Sequence, residues 1–75
     1  MTQMEVAYQY VSAPGEAEMR ALDQVREVYG IRRITMNEPQ RTIHVEFDGS
    51  RLKEPVVAGL LRRAGMDIRE KPALA

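Results

Sequence analysis

The side chains with chemistry to offer are few: one histidine (His44), five methionines, an acidic pair at Glu16 and Glu18, and two arginine pairs, Arg32-Arg33 and Arg62-Arg63. The chain has no cysteine, which excludes disulfides, zinc–thiolate sites and a thiol nucleophile but does not identify a compartment. A lone imidazole needs a second ligand or an acid partner at fixed spacing before it holds a metal or moves a proton. Alternation places His44 on the water-facing side of a strand, so a plain surface role is expected. Met19 and Met66 are the sulfur candidates for a metal site, yet neutral thioethers bind weakly and methionine is a common filler of core gaps. Glu16 and Glu18 suit the first turn of a helix, where the dipole favours negative charge. Arg62-Arg63 suits a helix end for the converse reason, and Arg32-Arg33 suits an edge strand that must not pair with strangers. No Ser-His-Asp set, paired catalytic carboxylates, phosphate-binding glycine loop or cofactor motif is present. The expectation is a protein that is not an enzyme and carries no cofactor.

Seventy-five residues allow one domain, 1–75, with a single small core. Eleven basic and eleven acidic residues cancel, and 44% hydrophobic residues with 29% charged is an ordinary globular balance. Without a basic surplus or stacking aromatics on an open face, nucleic acid is not an expected partner. No stretch approaches the roughly 18 apolar residues of a membrane span, and Met-Thr-Gln-Met-Glu does not begin a signal peptide, so no membrane and a cytoplasmic location are expected.

The elements that must position these side chains occur twice. Val25-Arg-Glu-Val-Tyr-Gly30-Ile31 and Leu60-Leu-Arg-Arg-Ala-Gly65-Met66 each read as a helix end, a glycine stop and a strand start, with the glycines 35 residues apart. Met4 to Val11 alternates as a first strand, with Met4, Val6, Tyr8 and Tyr10 inward. Ser12-Ala-Pro-Gly15 breaks it, with Ser12 or Ala13 expected to cap a helix over Ala17 to Tyr29. Ala21, Leu22, Val25, Val28 and Tyr29 form its apolar stripe. Ile31, Ile34 and Met36 start a second strand; Asn37-Glu-Pro-Gln40 reads as a hairpin; Ile43, Val45 and Phe47 face inward from a third. After the turn Asp48-Gly-Ser50, Leu52 tucks under a helix from about Glu54 to Ala64, with Pro55 tolerated in its first turn. Val57, Leu60, Leu61 and Ala64 form its buried stripe. Met66 and Ile68 begin a fourth strand that ends at Lys71-Pro72, and 71–75 reads as a frayed tail. The expectation is an α+β ferredoxin-like βαββαβ sandwich: a four-stranded antiparallel sheet, order 4-1-3-2, with two helices on one face.

The run Leu22-x2-Val25-x2-Val28-x-Gly30-Ile31-x2-Ile34, with Val45-Glu-Phe-Asp48 and Ala64-Gly65-Met66, resembles heavy-metal-associated (HMA) domains, the fold of metallochaperones and of metal-ATPase modules. The resemblance covers about Met4 to Arg69. It implies a soft-metal site of Cys-x-x-Cys between the first strand and first helix, but those positions here are Pro14 and Ala17, which ligate nothing. The metal site is therefore degenerate, and the family's activity is not carried over. Family geometry implies that Met66 lies near this loop, with Met19 just beyond it. Acylphosphatases share the topology but need a loop arginine that 12–18 lacks. Amino-acid-binding regulatory (ACT) domains often carry Pro-Gly here, as in Pro14-Gly15, but their apolar stripe falls on Ala17, Arg20 and Asp23.

In the related chaperones the same loop and the adjoining helix dock partners. The resemblance thus implies a non-catalytic interaction or regulatory module, related to metal-handling proteins, meeting a protein partner through Ser12, Pro14, Gly15, Glu16 and Arg20. A monomer or weak homodimer is expected. Two alternatives stay open: heavy-metal binding or transport through non-cysteine ligands (Met19, Met66, or oxygens of Glu16 and Glu18), and ACT-like binding of a small effector.

Overall fold

A computed structural model describes residues 2–69 and the backbone of Ala73–Leu74. The protein is α+β, with three antiparallel strands and two helices: β1 (Gln3–Gln9), α1 (Glu16–Val25), β2 (Ile31–Asn37), β3 (Thr42–Asp48) and α2 (Glu54–Arg63). The strands lie in the order β2-β3-β1. β1 runs against β3 from Gln3 opposite Asp48 to Gln9 opposite Thr42. β2 runs against β3 from Ile31 opposite Phe47 to Asn37 opposite Thr42.

Alternation decides which side of each strand is buried. Val6, Tyr8 and Tyr10, Ile43, Val45 and Phe47, and Ile31 and Ile34 join Leu22, Val25, Val57, Ala58, Leu61, Ala64, Met66 and Ile68 in one apolar cluster. Both helices therefore cover the same sheet face. Ile31 and Ile34 are three apart, an odd spacing that period two would place on opposite faces. A register shift between Ile31 and Arg33 resolves the conflict, because one extra residue in β2 turns Ile31 back to the core side. That irregularity falls within Arg32-Arg33, and β2 is an edge of the described sheet.

Both glycine stops adopt the left-handed conformation, with φ of +103° at Gly30 and +97° at Gly65. Around them the structure departs from expectation at several points. Helix α1 ends at Val25, so Tyr29 lies in the turn that follows, 73% exposed instead of in the buried stripe. Its N-cap is Gly15 rather than Ser12 or Ala13. Starting there puts Glu18 at the third helical position, where its Oε1 accepts the Gly15 N–H at 2.7 Å. A start at Ser12 would instead have spent Gly15, a poor helix former, inside the first turn. Met4 is 40% exposed, because it sits at the sheet's end and packs over Gly49, where a Cβ would come within 2.6 Å of its Cγ. In α2, Ala58 is buried and Leu60 only half-buried.

Beyond α2 the chain follows the free side of β1 irregularly. Tyr10 and Ile68 form an isolated bridge, and Ala73–Leu74 pairs with Ala7 and Val6 at a register offset by two residues from that bridge. The remainder of the expected tail at 71–75 lies outside the described residues. No helix among the described residues is long and apolar enough to cross a membrane.

Candidate interaction surface at the first loop

The segment joining β1 to α1 leaves the sheet beside the β2–β3 hairpin. Its backbone is held from two sides. Val11 N–H donates to the Asp67 carbonyl at 3.0 Å, and Arg41 Nη1 donates to the Val11 carbonyl at 2.9 Å. Tyr10 N–H donates to the Arg41 carbonyl at 3.0 Å, so hairpin and loop are cross-tied. Arg41 is the one non-glycine residue with positive φ (+52°) among those described, a conformation costing an L-residue roughly 1–2 kcal/mol. Its bonds to the loop offset that cost. Sequence reading missed both tethers: arginine gives no sign of a left-handed conformation, which favours glycine or asparagine, and a backbone carbonyl such as that of Asp67 carries no residue-type signal.

Beyond Val11 the loop opens to solvent. Ser12, Gly15, Glu16 and Arg20 are all exposed, and Pro14 is half-buried. The five residues named for partner contact are therefore brought onto one exposed stretch at the α1 N-terminus. Arg20 Nη2 meets Glu16 Oε1 at 2.8 Å, one helical turn apart on the exposed side. Such a pair contributes only about 0.3–0.5 kcal/mol, so both groups can exchange it for a partner's charge at little cost. Glu18 is spent on the cap and also lies against Gly65, whose notional Cβ would fall 3.0 Å from Glu18 Cγ. The second glycine turn thus abuts the first helix start.

The sulfur candidates are placed in different surroundings. Met66 is buried in the core at 3% exposure, whereas Met19 stands 39% exposed on α1. Pro14 and Ala17 occupy the last loop residue before the cap and the first helical turn. His44 lies on the open sheet face, in register between Ala7 and Thr35. Next to it on that face Glu46 accepts a hydrogen bond from Gln3 Nε2 at 2.9 Å. A broad open depression of about 720 Å3 runs round the β2 edge and is lined by His44, Glu5 and Glu46 together with Met19 and Arg26 from the helix side. Among the described residues no group of three histidine or carboxylate side chains is arranged to hold a metal ion.

Two titrating groups are displaced from their ordinary behaviour, and both lie away from the first loop. Tyr8 is buried, which pushes its phenol well up, and its hydroxyl donates to Glu54 Oε2 at the start of α2, which raises it further. Asp48 ends β3, 5% exposed. Ser50 Oγ and Ser50 N–H both donate to its Oδ1, at 2.6 and 3.0 Å. These bonds hold its carboxyl below the usual range against the opposing effect of burial, and the charges of Arg32 and Arg51 add to the same end. Both arginines approach Oδ2 at 4.0 Å.

No protein-family model matches this chain, and no curated protein sequence matches it significantly.

Proposed function

We propose that this protein is a non-catalytic interaction module of HMA-like descent, whose first loop and α1 N-terminus meet a protein partner. The observation that carries the reading is the pairing of a loop anchored at its two ends with exposed side chains: Val11 is tied at both its N–H and its carbonyl and Gly15 N–H is bonded to Glu18, while Ser12, Gly15, Glu16 and Arg20 face water. A surface ordered before it binds loses less entropy on association. Pro14 and Ala17 stand where the resemblance implies thiolates, so docking is the part of the family's work that these side chains still permit.

The same reading includes a ferredoxin-like sheet of four strands in the order 4-1-3-2. It is supported by the Tyr10–Ile68 bridge, by Arg69 N–H donating to the Gln9 carbonyl at 2.8 Å, and by the pairing of Ala73–Leu74 with β1. The two left-handed glycines at matching places in the repeat support the HMA-like descent.

A photoreactive residue installed at Ser12, with Arg33 on the open sheet face as control, tests the docking surface in cells. One protein should be captured from position 12 and not from 33, and Arg20→Glu should abolish that capture. Equal capture from both positions, or capture indifferent to Arg20→Glu, would reject the surface.

A further inference from the structure

The end of the sheet beside the first loop gathers two arginines with no acid between them. Gln9, Tyr10 and Val11 at the end of β1, Gln40 and Arg41 of the hairpin, and Arg69 after α2 border an open cleft of about 300 Å3. No carboxylate side chain lines it, and neither arginine forms an ion pair among the described residues. Asp67, two residues before Arg69, is exposed and stands outside the lining. Both arginines are exposed. Arg41 commits one guanidinium nitrogen, Nη1, to the Val11 carbonyl at 2.9 Å, and the Arg69 side chain makes no hydrogen bond among the described residues.

The backbone under both charges is fixed. Tyr10 N–H donates to the Arg41 carbonyl at 3.0 Å, and Arg69 N–H donates to the Gln9 carbonyl at 2.8 Å, so three segments are bonded to one another. Arg41 holds its left-handed φ of +52° here. A glycine at 41 would make the same backbone bond without the steric cost; what arginine adds is its guanidinium.

We propose that this cleft is a binding site for a phosphate monoester of a small molecule, its phosphate held between Arg41 and Arg69. Such a group is close to a dianion at neutral pH, which two guanidinium charges match, and their planar forks suit its oxygens. Gln9 and Gln40 border the cleft with amides able to meet neutral hydroxyls on the remainder of the molecule. The volume is at the small end for ligand sites and suits a phosphate carrying a few carbon atoms. A nucleic-acid strand fits poorly: Tyr10, the aromatic residue of the lining, is 3% exposed and offers no base a stacking platform, and the whole chain has no basic surplus. Neither arginine is among the residues named for protein docking, so the site stands or falls separately from that reading.

Titration of the full chain with glycerol 3-phosphate at neutral pH and low salt, followed by amide NMR, tests the assignment. Saturable shifts should centre on Gln9 to Val11, Gln40, Arg41 and Arg69. Arg69→Gln should weaken the apparent affinity about fivefold or more, the loss of a charge-assisted hydrogen bond, and Arg69→Lys should weaken it less. Arg63→Gln on α2 should leave it unchanged. Arg69 is exposed, so undisturbed signals elsewhere will show that its variants fold. Acetate at equal ionic strength should not reproduce the shifts. Absence of saturable shifts, unchanged affinity in Arg69→Gln, or an equal response to acetate would overturn the proposal. Inorganic phosphate binding as tightly as the ester would overturn it in favour of the free ion, and tighter binding of an oligothymidylate in favour of nucleic acid.

Discussion

The two helix–glycine–strand turns use one sequence device in two different surroundings. At Gly30 a methyl group would fall 3.0 Å from both Cγ and Cδ1 of Leu52 and 3.2 Å from Cβ of Arg51, so two side chains crowd it at once. At Gly65 it would meet one close neighbour, Glu18 Cγ at 3.0 Å, in a side chain whose carboxylate accepts the Gly15 N–H. Each turn therefore leans on the residues that lead into the other unit's helix: Gly30 on the approach to α2, Gly65 on the first turn of α1. The lesson is that the repeat interlocks rather than merely recurs. Its first joint is crowded by two side chains and its second by one, and the second adjoins the candidate docking loop.

The largest effects should come from what both joints clamp. Leu22 and Leu61 are each wholly buried, one on each helix. Replacing either with alanine should cost about 2–5 kcal/mol, comparable to the roughly 3–5 kcal/mol a core this small supplies. Urea unfolding should find little folded protein for either variant; full stability for one would show that its helix is not clamped.

Gly30→Ala and Gly65→Ala sharpen the comparison directly. Both incur the left-handed penalty of roughly 1–2 kcal/mol, but Gly30→Ala adds overpacking of about 1–3 kcal/mol against Leu52. Thermal melts should rank Gly30→Ala well below Gly65→Ala, and equal melting temperatures would erase the distinction between the joints.

Next is the acid limb at the Gly30 joint. The Asp48 carboxyl is depressed in the folded state by the two Ser50 bonds, so its contribution is present above its unfolded value near 3.8 and is lost as pH falls through the lower folded value. Between pH 5 and pH 2 the parent protein should lose more stability than Asp48→Asn. Parallel acid profiles would mean that the carboxylate does not hold the Gly30 joint.

The smallest effect belongs to the exposed ion pair at the first loop. Arg20→Ala should change stability by no more than about 0.5 kcal/mol in denaturant titrations. A loss above about 1 kcal/mol would show that Arg20 is structural and poorly placed to serve a partner.

Much of this was legible in the residues. Alternation in Thr42 to Phe47 gave the third strand and its face, and glycine after an apolar stripe gave both stops, since few other residues adopt positive φ cheaply. The end of α1 was not legible, because Val28 and Tyr29 continue the helical spacing; the turns at 26–30 instead carry Ile31 back to the sheet, with Ile31 N–H donating to the Val28 carbonyl at 3.0 Å. The bulge at Arg32-Arg33 left only an indirect trace in the odd spacing of Ile31 and Ile34. The candidate loop could be located from Pro14-Gly15, but not its tethers, since Arg41 and Asp67 act through backbone geometry. The stacking of Arg51 on Tyr29, 4.8 Å from the ring centroid, was missed altogether, because contacts between residues 22 apart depend on how the two units dock.

The claim at the centre is that Pro14 and Ala17 leave a bend able to dock a protein but unable to capture a soft cation. Native mass spectrometry of the reduced chain with one equivalent of Cu(I) puts that claim to the test. The account predicts the mass of the bare chain; a stoichiometric adduct that disappears in Met19→Leu would contradict it.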